Sequence, residues 1–371
     1  MKKSLLMTAV LCAFAGASHA QSNVTLYGVL DQSIGWQNNA GGKSLINTSS
    51  GAMQGSRWGL RGTEDLGGGL KAIFVLENGF DLGNGESLQG GRMFGRQAFV
   101  GLSSNDFGTL TLGRQYDALV DFVAPLTIAS RGAGGIGAHY IDFDNLDNSH
   151  RANNAIKYTS ANYGGFSFGG TVSPGGIAGK PGKNLVWSLG ANYANGPLVV
   201  AAGYLRSKDP AFSVIPRITK NVFNLTGDAT LVDMPGLHSN YRVAAGGASY
   251  TFGPARIGAV YSDARQDTTL APLEMSQRAK TAEVNFGYQL TPSLSTGLGY
   301  GYTALRVLDK TRKYHQVSAG TSYALSKRTD VYLIAALQKA SGDAARAALN
   351  GLAPSSTDKQ VSARVGIRHK F

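Results

Sequence analysis

Cysteine is all but missing from this chain: of 371 residues only Cys12 carries a thiol, and it falls within the first twenty. The rest of the chain cannot rely on disulfides to hold its fold. Long apolar runs are missing as well. After residue 20 nothing approaches the twenty consecutive apolar residues of a bilayer-spanning helix, and "VYLIAALQ" (331–338) is among the longest. That excludes a helical membrane protein. It leaves open a transmembrane β-barrel, whose strands hide their hydrophobicity in alternation.

The N-terminus "MKKSLLMTAVLCAFAGASHA" has a cationic start at Lys2 and Lys3, an apolar core from Leu5 to Ala17, and a small-x-small ending at Ser18-His19-Ala20. This is the pattern of a cleaved secretory signal over residues 1–20, too short to anchor in a membrane. Its loss would leave residues 21–371, with 33 basic and 23 acidic residues and a formal charge of +10. Fifty glycines, sixteen tyrosines and fifteen phenylalanines then stand out among few helix formers.

From residue 23 the chain runs as segments of about ten residues, mostly alternating in polarity and bounded by Gly, Asn, Asp, Ser or Pro. "SRWGLRGTED", "GLKAIFVLENGF" and "LVVAAGYLRS" are examples, and sixteen such segments are counted. Tight turns such as "NDFG", "ANGP" and "LTPS" alternate with longer links, the largest near 118–150, 208–240 and 341–358. The expected fold is all-β: a sixteen-stranded antiparallel transmembrane barrel with no second domain. A soluble sandwich would need an apolar core where this chain puts Arg, Lys, Ser, Thr and Gly.

The C-terminal "VSARVGIRHKF" places Val361, Val365 and Ile367 on one face and Arg364, Arg368 and Lys370 on the other. Phe371 is expected in the aromatic girdle, with Tyr27, Tyr250, Phe252, Tyr288 and Tyr323 near other strand ends. Alternation places Arg57, Arg61, Lys71, Glu77, Arg151 and Lys157 toward the lumen, opposite outward Trp58, Leu60, Phe74, Leu76, Ile156 and Tyr158. Arg96 shares parity with Ala98 and Val100. A cation on the lipid face costs about 2–4 kcal/mol, which favours Arg96 inward and Phe99 outward. Arg114 shares parity with Leu110 and Leu112 and reaches inward only if alternation breaks at the strand's end.

Across essentially the whole of 21–371 the chain resembles the trimeric general porins of Gram-negative bacteria, especially the anion-selective porins of β-proteobacteria. The resemblance rests on "NVTLYGVLD", "SRWGLRGTEDLGGGLKAIFVLENGF", "FGRQAFVGLSSNDFGTLTLGRQYD", "RANNAIKY" and "VGIRHKF". It implies a homotrimer in contact with outer-membrane lipid and lipopolysaccharide. It also implies a third extracellular loop, here about 117–150, folded inward to constrict the pore. Arg57, Arg96 and Arg151 correspond to the family's basic cluster, with Arg61 and Arg114 beside them. Asp117 and Asp121 on the facing loop would set up a transverse field, with Glu77 also on the acidic side. Arg364, Arg368, Lys71 and Lys157 are further lumen-lining cations. The terminal Phe371 looks like the signal read by the outer-membrane assembly machinery.

The function this implies is passive diffusion of small hydrophilic solutes, anions preferred, with no catalysis, no cofactor, no metal and no nucleic-acid partner. Two rival classes are a barrel enzyme and a plugged structural barrel. The one G-x-S-x-G match, around Ser167, lies within a strand with no helix after it, so it lacks the nucleophile's strand-to-helix turn. No plug domain precedes the first strand. Asp142, Asp144 and Asp147, between His139 and His150, could hold Ca²⁺ but lack the EF-hand's central Gly and terminal Glu. Arg206, Lys208, Arg217 and Lys220 would either steer anions or bind lipopolysaccharide phosphates.

Overall fold

The computed structural model describes residues 23–208, 237–270, 272–343 and 345–371. The expected signal at 1–20 and the basic residues Arg217 and Lys220 lie outside them.

Alternating segments become strands, and each pairs antiparallel with its neighbours. The first half comprises β1 (Asn23–Ala40), β2 (Lys43–Ser50), β3 (Arg57–Gly67), β4 (Leu70–Gly79), β5 (Gln97–Ser104), β6 (Gly108–Gln115), β7 (Ala152–Thr159) and β8 (Phe166–Ser173). The second half comprises β9 (Val186–Asn195), β10 (Leu198–Lys208), β11 (Leu237–Phe252), β12 (Ala255–Leu270), β13 (Leu273–Thr291), β14 (Leu294–Val307), β15 (Lys310–Ala324), β16 (Thr329–Gly342) and β17 (Lys359–Lys370). β1 pairs with β17, which closes the sheet and leaves no edge in lipid.

The seventeen strands occupy sixteen positions around the wall. β1 pairs with β3 through Asn23–Val29 and with β2 through Gln32–Ala40, so β2 and β3 are one barrel strand broken at residues 51–56. Alternation does not identify β2, because Leu45 and Ile46 are consecutive. The fully buried Asp31 holds the break: its carboxylate accepts from the Gln54 amide at 2.7 Å, the Met53 amide at 3.2 Å and the Tyr332 hydroxyl at 2.5 Å.

Links of 68–69, 105–107 and 253–254 turn the chain at one rim, which also carries both described termini. The other rim carries 80–96, 116–151 and 343–358. It also carries the short turns 41–42 and 308–309, where tight reversal replaces a long loop. β11, β12 and β13 run 16, 16 and 19 residues, beyond the roughly ten that cross a bilayer.

Side-chain exposure follows the alternation. Leu26, Leu112, Val284, Leu298 and Val365 are exposed on the outer face, as are Tyr250, Phe252, Tyr288 and Tyr323. Tyr27 does not join that girdle; it turns inward and its hydroxyl donates to Glu77 Oε2 at 3.0 Å. Phe99 is also reversed, since exposed Val100 and Leu102 take the outer face. Phe371 exchanges backbone hydrogen bonds with Gly28, and its ring lies where a Cβ on Gly28 would sit.

Within the wall, 117–150 packs against the inner face of β9–β16. α1 (Ala118–Phe122) opens the segment. Leu119, Leu126, Phe143 and Leu146 form a buried core with Leu205, Val243, Val260 and Leu305. Close approach needs glycine at two wall positions: a Cβ on Gly299 would meet Ile128 at 2.8 Å, and one on Gly320 would overlap the Gly132 carbonyl oxygen. Gly299→Val and Gly320→Val should leave a closed barrel but lift this segment from the wall. Limited proteolysis should then cut within 117–150 in the variants and spare the parent; equal resistance would contradict the packing.

Candidate functional site

The break in the second strand, the inner segment and the C-terminal strand enclose a chamber of about 660 Å³. Six cations line it: Arg57, Arg96, Arg131, Arg151, Arg368 and Lys370. Asp147 is the one acid among its described lining residues.

Arg57, Arg96, Arg151 and Arg368 are held by hydrogen bonds, ion pairs or ring contacts close by. Arg57 opens β3 immediately after the break, and its Nε donates to the Gly55 carbonyl at 2.9 Å. Arg96 precedes β5, so strand parity does not govern it; it lies inward, with Nε 2.7 Å from Glu77 Oε1 and a 2.8 Å hydrogen bond to the Tyr116 hydroxyl. Arg151 stacks over the Tyr116 ring at 5.2 Å and donates to Asn148 Oδ1 at 2.6 Å. Arg368 makes a forked pair with Asp330, at 2.9 and 2.5 Å, and reaches Gln54 Oε1 at 3.1 Å. Guanidinium groups tolerate this proximity because they are planar and weakly hydrated.

Other expected site residues stand elsewhere. Arg61 is exposed on the same inner face, 5.1 Å over the Tyr27 ring, and does not line the chamber. Arg114 sits on a bulge where the β6–β7 register shifts; it donates to the Gly95 carbonyl at 2.8 Å and to Asn153, and also lies off the chamber. Arg364 lines a neighbouring cavity with Asp147, donating to Ser49 Oγ at 2.6 Å. Lys71 pairs in register with Asp65 near the short-turn rim.

The acidic side departs most from expectation. Glu77 stands behind the arginines as their counter-ion, buried at 4% exposure. Asp117 is fully buried and caps α1: Oδ1 accepts from the Leu119 amide at 2.7 Å, and Oδ2 accepts from Asn145 at 2.6 Å. Burial pushes its carboxyl up to about 6. Asp121 pairs with Lys157, whose ammonium also donates to the Tyr116 carbonyl at 3.2 Å. That pair ties the segment to the wall; Asp121 is exposed, yet neither partner lines the chamber. Both aspartates lie at the helix start, where an acid satisfies free amides and the helix dipole. The segment instead presents Arg131 to the chamber. Sequence reading missed Arg131, because no alternation applies inside a loop; Lys370 was visible on the cationic face of β17.

A second constellation secures the segment. His139 Nδ1 lies 2.6 Å from Asp144 and Nε2 lies 3.2 Å from Glu283. Glu283 accepts from the Ile128 amide at 2.8 Å, and Asn285 donates to the Leu126 carbonyl at 2.9 Å. Burial would push the imidazole down, but the two carboxylates hold it well above the ordinary histidine range. Asp144 stays below the usual aspartate range against its own burial, because His139 faces it. Burial and neighbouring Asp144 push Asp142 to about 6. The carboxylates considered for Ca²⁺ are taken up by protein donors: Asp142 accepts from the Asp147 and Ser149 amides, Asp144 from His139 and Ser262, and Asp147 from Asn350.

Comparison with known proteins places these features in context. The family model described as Gram-negative porin matches residues 8–343. Outer membrane porin protein 32 of Delftia acidovorans is 32% identical over 395 aligned residues, covering 100% of both chains. An outer membrane porin protein of Bordetella pertussis is 38% identical over 234 residues, 55% of this chain and 59% of that one. Among solved structures, an anion-selective porin from Comamonas acidovorans superposes with a TM-score of 0.76 at 28% identity, covering 94% of this chain and 100% of that one. The trimer form of OmpT from Vibrio cholerae shares the fold, with a TM-score of 0.65 at 17% identity and cover of 94% and 99%.

The charge network makes a pH-dependent prediction. His139, raised, contributes stability that is complete below the ordinary histidine value and is lost only as pH passes its higher folded value. Asp144, lowered, contributes above the ordinary aspartate value and is lost only in stronger acid. Both therefore hold at neutral pH. Asp117 and Asp142 act oppositely: charging between the ordinary aspartate value and about 6 lowers stability as pH rises. His139→Ala leaves Asp144 and Glu283 facing each other without a cation and should cost about 3–5 kcal/mol in a thermal melt near pH 8. The loss should shrink as pH falls and one carboxylate is neutralised; a pH-independent loss would contradict the ionic reading.

Proposed function

The chain belongs to the Gram-negative porin family and lies in the outer membrane, and from that premise we propose a water-filled pore that passes small hydrophilic solutes passively and prefers anions. The observation that carries the preference is the chamber's lining, six cations to one acid among the described residues. Clustered fixed cations favour anions over cations in a pore, and a low-dielectric wall strengthens their field. In this reading the field in the chamber is mainly positive, with Asp147 as its acid, because Arg131 lines the same chamber as Arg57, Arg96 and Arg151. Selection would combine size exclusion at the 117–150 constriction with attraction by these cations, without catalysis or cofactor. The anion selectivity named for the Comamonas acidovorans structure supports the same reading.

The partners proposed are two further copies of the chain in a homotrimer, outer-membrane lipid and lipopolysaccharide, and the outer-membrane assembly machinery. The OmpT trimer form supports the first. Phe371 is proposed as the assembly signal, since it ends the strand that closes the barrel. Phe371→Ala should reduce the amount of barrel inserted in cells while leaving refolding in detergent largely intact. Equal loss in both would assign the residue to packing on Gly28 alone.

The selectivity test is the zero-current potential of the reconstituted protein under a KCl gradient. A potential of the sign set by chloride is expected. Arg57→Gln with Arg151→Gln should weaken it, and Asp147→Asn should strengthen it. Asp117→Asn should leave it unchanged, because that side chain does not reach the chamber. A cation-selective potential in the parent would overturn the reading.

A further inference from the structure

Five arginines stand in one unbroken row across the outer wall. Register pairs Arg206 with Arg242, Arg242 with Arg265, Arg265 with Arg278, and Arg278 with Arg306, through five consecutive strands β10 to β14. Each shares parity with lipid-facing side chains of its own strand: Val200, Tyr250, Tyr261, Val284 and Tyr300, all exposed. Their sequence neighbours Leu205, Val243, Ala264, Ala279 and Leu305 are buried on the inner face. The row therefore lies outside the pore and takes no part in selecting solutes.

Its height is informative. Arg242 lies ten residues from Phe252 and Arg278 ten from Tyr288, two aromatic residues exposed at the short-turn rim. At about 3.3 Å per residue and a tilt near 40°, ten residues rise roughly 25 Å, the height of a barrel's apolar band. The row thus meets the membrane at the outer headgroup level, where the extended β11–β13 sheet leaves the hydrocarbon.

Like charges directly opposed across a ladder destabilise a sheet. Two acids on β12 offset part of this row. Arg278 makes a forked pair with Asp263, 2.8 Å from Nε, and Arg265 Nε lies 2.9 Å from Asp267, with Arg242 3.9 Å from the same carboxylate. Glu274 lies further out along β13, toward the hairpin tip. Lys280, opposite Asp263 in register, adds a sixth cation. A groove of about 270 Å³ opens here, lined by Tyr204, Arg242, Ala244, Asp263, Arg265 and Arg278. It joins planar cationic forks to an aromatic edge at the depth where a lipid headgroup lies.

We propose that this row binds the phosphates of a phosphorylated glycolipid in the outer leaflet, with guanidinium forks on phosphate oxygens and acyl chains along the apolar wall below. The proposal rests on the outer-membrane reading above and gives the lipid partner a site on β10–β14. Arginine suits it because its fork matches phosphate bidentately and stays charged at every working pH.

The test uses the full folded chain in neutral-detergent micelles, titrated with bis-phosphorylated lipid A and, separately, with dephosphorylated lipid A. Bound lipid is counted by native mass spectrometry. The parent should prefer the phosphorylated form, and Arg242→Gln/Arg265→Gln/Arg278→Gln should weaken that binding by roughly tenfold or more. A charge-matched control, Arg57→Gln with Arg151→Gln and Arg368→Gln inside the pore, should bind lipid like the parent. Single-channel conductance of the outer triple variant should match the parent, which establishes that it folds and separates this test from the pore reading. Equal binding of both lipid forms, or equal weakening by inner and outer variants, would overturn the proposal. So would displacement by inorganic pyrophosphate at the affinity of the lipid, which would make the row a site for free anions.

Discussion

Hydrocarbon offers no hydrogen-bond partner to a peptide group, and that single constraint organises this molecule. Strands in lipid must pair on both sides, so the sheet closes β17 onto β1. Closure commits alternate side chains to lipid and the rest to an interior that no apolar core fills by default. The interior becomes available for charge, and the charge must then be held in place by the wall and by whatever enters the lumen.

Two departures from regular alternation position the cations. The break at 51–56, held by Asp31 and Tyr332, puts Arg57 at the start of a fresh strand beside a glycine-lined step. The start of β5 at Gln97 frees Arg96 to turn inward beside Glu77. Both lie where strand regularity fails, and irregular backbone deep in the membrane is tolerated where it faces protein or water. The inner segment completes the enclosure through hydrogen bonds and packing against the far wall.

Much of this was readable from the residues. A two-residue period exposes the facing of Trp58, Leu60, Leu112 and Ile367, and so the barrel and most wall cations. It misplaced Phe99 and Tyr27, because each strand's parity depends on where the strand begins, and Tyr27 takes Glu77 as a partner in the lumen. The loop was legible in length and extent but not in orientation. Asp117 reads as a pore acid by position and is a helix cap by geometry; Arg131, in the same loop, carries no periodic signal. The arginine row was invisible because register across five strands is a property of pairing, and a linear reading carries none of it.

The anchoring of the inner segment has a physical consequence for the current the pore carries. Its attachments are spread over many strands: Ser188 on β9, Tyr241 on β11, Ser262 on β12, Glu283 and Asn285 on β13, Gln316 on β15. Most are buried hydrogen bonds, so motion of the segment requires several to break together. A diaphragm clamped around so much of its rim has a narrow thermal spread in aperture. The open level is then quiet, with little flicker between sub-states, and the cutoff between admitted and rejected solutes is steep.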